Sequence, residues 1–321
     1  MSHEDLLKEL EERRLKALSM GGPDKLAKRR AAGILNARER LDYLFDKGTF
    51  IESGLFGTSV YPEARDKSPG DGKIAGYGKI AGREAACVAN DFTIMGASSA
   101  ATNMKKIGQM KRAAVSRGMP LVFLGESSGA RLPDNMGARG MGSLLAQDPQ
   151  QYLRLRESPW VSAALGLCYG SSTWYCVLAD FNVMRKGAIV AVSSSLLASL
   201  AMNDPVDAEE LGGWRVHAEI TGFADMVVDT DEEALDAIKT FLSYLPSHHN
   251  EAPPVKPVPA GSGDKCADLI NLIPESRTQV YDMRKILRAI SDTDSYFELK
   301  ARFGKAGVTA LARLGEIGRA H

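Results

Sequence analysis

Two short glycine turns constrain this chain more than any other feature. The apolar run Pro120-Leu121-Val122-Phe123-Leu124 leads into Ser127-Ser128-Gly129-Ala130-Arg131. The run Val161-Ser162-Ala163-Ala164-Leu165-Gly166-Leu167 leads into Tyr169-Gly170-Ser171-Ser172. Short apolar runs bounded by turn residues read as buried strands, and each glycine turn reads as the entry to a helix. A helix entry leaves main-chain N–H groups without intrahelical partners. Two such entries side by side can hold a carbonyl oxygen as it becomes negative. Gly170 and Ser171 are the expected donors, with Gly129 and Ala130 forming the opposite wall.

The bulk numbers narrow the class. A chain of 321 residues suffices for one large domain or two small ones. Forty basic and forty acidic side chains cancel, so neither nucleic acid nor a membrane surface is the expected partner. Cys87, Cys168, Cys176 and Cys266 lack C-x-x-C spacing and read as buried thiols in a reducing compartment. No apolar stretch reaches the roughly 18–20 residues of a membrane span, and the charged N-terminus does not resemble a signal peptide. A cytoplasmic protein without a bound metal is expected.

Along the chain, Glu4–Leu18 reads as an amphipathic helix with Leu6, Leu7, Leu10, Leu15 and Leu18 on one side, either a solvated surface or an arm for a partner subunit. Asn36-Ala37-Arg38-Glu39 opens the next helix with a capping-box pattern. Lys73–Ala81 and Glu84–Asn90 form a hairpin. From Asp91 onward strands and helices alternate: a helix over Ala100–Arg117, the two runs above, Ile189–Val192, a helix near Ser195–Ala201, and Met226–Val228. Thr230-Asp231-Glu232-Glu233 caps a helix carrying Leu235, Ile238, Phe241, Leu242 and Leu245 at helical spacing. Such alternation indicates α/β layers. Residues 1–249 are the expected first domain and the Pro/Gly-rich stretch within 250–274 a linker. A helix over Tyr281–Ile290 and a strand over Tyr296–Leu299 begin a second domain at 275–321, which ends too soon to close a core of its own.

Gly76, Gly78 and Gly82 in the hairpin do not make a dinucleotide fingerprint, because the spacing is wrong and no helix opens after them. No G-x-x-x-x-G-K-[ST] phosphate loop is present either.

Taken in order, these residues resemble the β, or carboxyltransferase, subunits of biotin-dependent acyl-CoA carboxylases of the propionyl-CoA carboxylase type. The resemblance is carried by Ala37-Arg38-Glu39-Arg40-Leu41 with Asp46-Lys47-Gly48-Thr49-Phe50, and by Asp91-Phe92-Thr93 with Gly96-Ala97-Ser98 and Lys106. Ser128-Gly129-Ala130-Arg131 follows, then Glu210-Leu211-Gly212-Gly213 with His217, Thr221-Gly222 and Ala224-Asp225, Leu242–Pro246, Tyr281–Arg284 and Phe297–Leu299. It implies a crotonase/ClpP-like α/β fold, an N-terminal acyl-CoA-binding carboxyltransferase domain, and the truncated beginning of a C-terminal one. It also implies an oligomer of dimers within a hexamer, and carboxybiotin delivered by a biotin carboxylase/biotin carrier subunit, with the biotin ureido nitrogen as the base. Several positions depart from the family pattern. The family usually has two glycines at Ser128-Gly129, Ala-Gly-Gly-Ala at Tyr169–Ser172, and commonly glycine at Ala97.

The reaction so implied moves a carboxyl group onto the α-carbon of a short-chain acyl-CoA through an enolate. Gly96, Ala97 and Ser98 are candidate walls of the acyl-CoA pocket. Lys106 is a candidate for a CoA phosphate, weighed against a solvated helix face, and Arg131 a substrate contact or an anchor for its own loop. His217 reads as a structural hydrogen-bonder; Trp160, Trp174 and Tyr175 read as core or interface. Two other readings remain open. One is a serine hydrolase with Ser171 or Ser172, His217 and Asp225; the other is a non-catalytic fragment or assembly subunit.

Overall fold

The computed structural model describes residues 2–135, 156–315 and 317–320; residues 136–155, inside the expected first domain, lie outside the described residues. Eight strands make the main sheet: β1 (Ile51–Ser53), β2 (Lys73–Ile80), β3 (Arg83–Asn90), β4 (Leu121–Ser127), β5 (Trp160–Tyr169), β6 (Phe181–Arg185), β7 (Ile189–Ala191) and β8 (Met226–Val228). Their order is β1-β2-β3-β4-β5-β6-β8, with β7 pairing the far end of β5. β1, β2 and β3 are antiparallel; β3 through β8 pair in parallel. The hairpin turns on Ala81-Gly82, both at positive φ (49° and 81°), as a two-residue turn between twisted strands requires. The Asp46 carboxylate accepts both turn amides at 3.0 and 2.7 Å. Gly76 lets β1 approach: a Cβ there would lie 2.2 Å from the Ile51 carbonyl oxygen. The hairpin glycines thus serve strand packing.

The helices are α1 (His3–Leu18), α2 (Pro23–Ala31), α3 (Ala37–Leu44), α4 (Ala101–Arg117), α5 (Ser171–Val177), α6 (Ser195–Met202), α7 (Asp231–Tyr244) and α8 (Met283–Ile290). Strand side chains alternate between two faces, and each face has its own core. Cys87, Ala89, Val122, Leu124, Val161 and Leu165 meet Leu41 and Leu44 of α3 and Leu235, Ile238, Phe241 and Leu242 of α7. Val88, Leu121, Phe123 and Trp160 meet Ile107, Met110 and Ala114 of α4 and Tyr175 and Cys176 of α5. Each large apolar side chain so buried contributes roughly 1.5–3 kcal/mol. The caps stand where the sequence puts them: Asn36 accepts from the Arg38 and Glu39 amides, and the Thr230 hydroxyl accepts from Glu233. The leucine stripe of α1 faces solvent, and Ala17 is its buried residue.

A second, antiparallel sheet joins β9 (Phe297–Leu299), β10 (Thr309–Leu314) and β11 (Ile317–Ala320) in the order β11-β10-β9. The β10–β11 hairpin was not evident in the sequence. Leu311 enters the α3/α7 core, and the Phe297 ring sits 5.8 Å from that of Phe181 and 6.2 Å from that of Tyr244.

One ionic cluster fastens the α3/α7 face to the sheet. Arg40, fully buried, donates to Glu126 at 2.7 Å and to Asp231 at 2.9 Å. Arg29 of α2 clamps both Glu126 oxygens at 2.8 Å. Burial alone would raise the Glu126 carboxyl, but Arg40 and Arg29 hold it below its ordinary value. Glu126 lies one residue before the end of β4, so this cluster also fixes the strand that delivers the first glycine turn.

Candidate active site

β4 and β5 run side by side in parallel, so their C-terminal turns emerge together. A Cβ placed on Gly170 would sit 3.7 Å from the Gly129 Cα. Gly129 and Gly170 hold φ of 103° and 60°, a region open to glycine at little cost. A third loop joins them. Ser99 bridges Ala130: its amide donates to the Gly129 carbonyl at 2.8 Å and its carbonyl accepts from Arg131 at 2.9 Å. The Ser99 and Ser171 hydroxyls share a hydrogen bond of 2.5 Å, and the Ser128 amide donates to the Gly96 carbonyl at 2.9 Å. Three segments, 96–99, 128–131 and 170–172, therefore meet at one place.

Accounting for the amides changes the expected donor set. The Gly170 N–H is bonded to the Val192 carbonyl at 3.2 Å, and the Gly129 N–H to the Ser127 hydroxyl at 3.1 Å. Neither glycine is a free donor. Their positive φ values make the turns, and the same rotation aims their amides inward. Among the described residues, the amides of the two following positions, Ala130 and Ser171, have no hydrogen-bond partner. Neither Ser128 nor Ser171 needs positive φ, so serine in place of the family's glycine leaves the backbone path intact.

The expected pocket residues divide. Gly96 is half-buried at φ 60°, and its carbonyl is engaged by Ser128. Ala97 is wholly buried at φ 48°. This strained conformation suits the glycine common in the family, and the residue supports the loop from below without reaching a substrate. Ser98 is also buried, its hydroxyl donating to Met95 and accepting from Arg131. Lys106 is not on a solvated face. It is buried, its ammonium donating to the Gly70 carbonyl at 3.0 Å and to the Lys73 carbonyl, and burial lowers it to about 8. Arg131 is buried too, donating to Asp71 at 2.6 Å and to Ser98; it anchors its loop.

The bonding does not assemble the expected hydrolase triad. The Ser171 hydroxyl pairs with Ser99, and the Ser172 hydroxyl accepts from Asn90 at 3.1 Å. His217 directs Nε2 to the Val190 carbonyl at 2.8 Å, the structural role expected of it, and Asp225 accepts from the Asn182 amide and Lys300. Among the described residues, no serine joins a histidine and a carboxylate. Trp160 and Tyr175 are core, and Trp174 is half-buried.

Sequence reasoning missed the layer beneath the turns: Asp71, Lys73, Asn90, Ser99 and Ser127. One signal was available. Gly-Asp-Gly-Lys opens an otherwise apolar strand, and a lysine leading such a strand calls for a buried partner. Lys73 is in fact buried, donating to Asn90 at 3.1 Å and to the Ala97 carbonyl at 3.0 Å.

Parallel strands whose turns converge on main-chain donors constitute the crotonase-like carboxyltransferase fold. Structures of transcarboxylase 12S with hydrolysed methylmalonyl-CoA, or with methylmalonyl-CoA and methylmalonic acid, superpose with a TM-score of 0.89 at 28% and 29% identity. They match 100% of this chain and 64% and 63% of theirs. The carboxyl transferase domain model matches residues 28–318, and the chain belongs to that family. It is 33% identical to the carboxyltransferase subunit of propionyl-CoA carboxylase from Haloferax mediterranei, over 98% of this chain and 61% of that one. It is 30% identical to the mitochondrial propionyl-CoA carboxylase beta chain of Sus scrofa, over 95% and 57%. The chain thus spans about three fifths of the length of these relatives.

Proposed function

We propose that this chain provides the acyl-CoA half of a biotin-dependent carboxyl transfer, in which a short-chain acyl-CoA is carboxylated at its α-carbon. The supporting observation is the pair of amides at Ala130 and Ser171, without hydrogen-bond partners among the described residues, on two turns in mutual contact. An acyl thioester that loses its α-proton becomes an enolate whose charge rests largely on oxygen. Donors fixed before the reaction stabilise that charge without reorganising, and losing one such donor raises a barrier by about 3–4 kcal/mol in comparable sites. Ala130 and Ser171 would hold the thioester oxygen, and Gly129 and Gly170 would keep Cβ atoms out of its path. Carboxybiotin on a partner carrier subunit, when bound, would supply the activated carboxyl group. Assembly as dimers within a hexamer fits this reading, since transcarboxylase 12S is described as a hexamer.

Calorimetric titration of the chain with propionyl-CoA tests the reading. Saturable binding is expected, weakened by Gly129→Val, whose side chain would enter the shared space at a strained φ. Absence of binding to propionyl-CoA and to other short acyl-CoA thioesters would overturn it.

A further inference from the structure

Beneath the two turns lies a lysine that the reaction as drawn does not use. Lys73 opens β2 and is 1% exposed. Its ammonium donates to Asn90 Oδ1 at 3.1 Å and to the Ala97 carbonyl at 3.0 Å. Two chains of hydrogen bonds leave from these acceptors. The Ala97 carbonyl also accepts from the Ser127 hydroxyl at 3.0 Å, which in turn accepts the Gly129 N–H at 3.1 Å. Asn90 Nδ2 donates to the Ser172 hydroxyl at 3.1 Å, in the first turn of α5. One chain ends a residue before Ala130, the other a residue after Ser171. Among the described residues no carboxylate forms an ion pair with Lys73; Asp71, two positions away, pairs with Arg131. A buried cation without a counter-ion is costly to fold around, and apolar residues of equal length would fill the space more stably.

We propose that Lys73 is a positioning residue for the thioester site: it locks both amide-bearing turns into one register and sets a positive charge behind the oxygen they hold. This rests on the acyl-CoA reading above. A positive charge at that depth polarises the Asn90 amide that donates to Ser172 and favours negative charge developing at the turns.

The charge is adjustable. Burial lowers Lys73 to about 7; Asp71 opposes that fall, Arg131 and Lys106 add to it, and Cys168 opposes it weakly. Above neutrality the ammonium becomes an amine, and its hold on both acceptors slackens.

The test uses propionyl-CoA labelled with 13C at the thioester carbonyl, bound to the full chain. Calorimetry reads affinity, and difference infrared spectroscopy reads the carbonyl stretch, which falls in frequency as donors polarise the bond. Wild type should show a lowered stretch that is larger at pH 6 than at pH 9. Lys73→Met, read at saturating propionyl-CoA, should lose most of the shift and its pH dependence. A Lys73→Met variant with the wild-type band and pH response would overturn the proposal, since a purely structural lysine leaves both unchanged. Should that variant not fold, Asn90→Ala, which cuts only the branch to Ser172, decides: a partial loss of the shift supports the proposal and an unchanged band overturns it. Failure of wild type to bind would sink the acyl-CoA reading and this inference with it, whereas binding with an unaltered band in the variants sinks this inference alone.

Discussion

Two buried ionic clusters lie on opposite faces of the sheet, and they are built differently. On the α3/α7 face, Arg29, Arg40 and Arg185 surround Glu126 and Asp231, with pairs at 2.7 to 3.3 Å. Every cation there meets a carboxylate. On the α4 face, Arg131 pairs with Asp71 at 2.6 Å and with Asp134 at 3.7 Å, while Lys73 and Lys106 donate to neutral carbonyl or amide oxygens. In the first cluster each cation is matched to a carboxylate within ion-pair distance; in the second the two lysines are held by neutral oxygens instead. Carboxylate pairs fasten layers, whereas a buried lysine on neutral acceptors keeps its charge at a cost in stability.

The largest expected effect breaks the matched cluster. Glu126→Ala leaves Arg29 without its carboxylate and buried Arg40 with Asp231 alone, and the loss should be about 3–5 kcal/mol, read by urea denaturation. A loss below about 1 kcal/mol would mean that the arginines find other partners and that the two clusters differ less than their geometry says. A subtler effect comes from Lys73. Its folded pKa, about 7, lies below its ordinary value of 10.5, so between these values the unfolded chain binds more protons than the folded one. Stability gained from this group therefore rises with pH across that window and is lowest below about 7. The stability of wild type relative to Lys73→Met should climb from pH 7 toward pH 10 in parallel denaturation series; a flat difference would show a lysine already well compensated. The smallest effect concerns Lys106. Because its ammonium is tied to two carbonyls within the fold, Lys106→Gln should leave propionyl-CoA affinity unchanged by calorimetry, although it lowers the melting temperature. A clear fall in affinity would return Lys106 to the ligand.

The same contrast explains what could be read from sequence. Strand, turn and helix at Leu121–Arg131 and Trp160–Val177 were legible because apolar runs and glycines report local conformation. The caps at Asn36 and Thr230 were legible for the same reason. The expected donor set held Ser171 together with Gly170 and gave Ala130 only the opposite wall, since which amide is already bonded depends on Val192 and Ser127, partners fixed only by the assembled sheet. The burial of Lys106 was missed because a charged side chain on a helix is ordinarily solvated, and nothing local announces a carbonyl waiting across the fold. The Ser99–Ala130 bridge joins residues about thirty positions apart and leaves no periodic trace. β10 was missed because six residues of mixed character become a strand only when β9 and β11 flank them.

The seat of Leu311 and Phe297 has a practical bearing on how the molecule can be handled. Both side chains close a wall otherwise formed by Phe181, Phe241 and Tyr244, and Arg313 reaches across it to the Ser243 carbonyl. A recombinant fragment ending at residue 249 would present that aromatic wall to water, inviting self-association through a surface that the intact chain keeps covered.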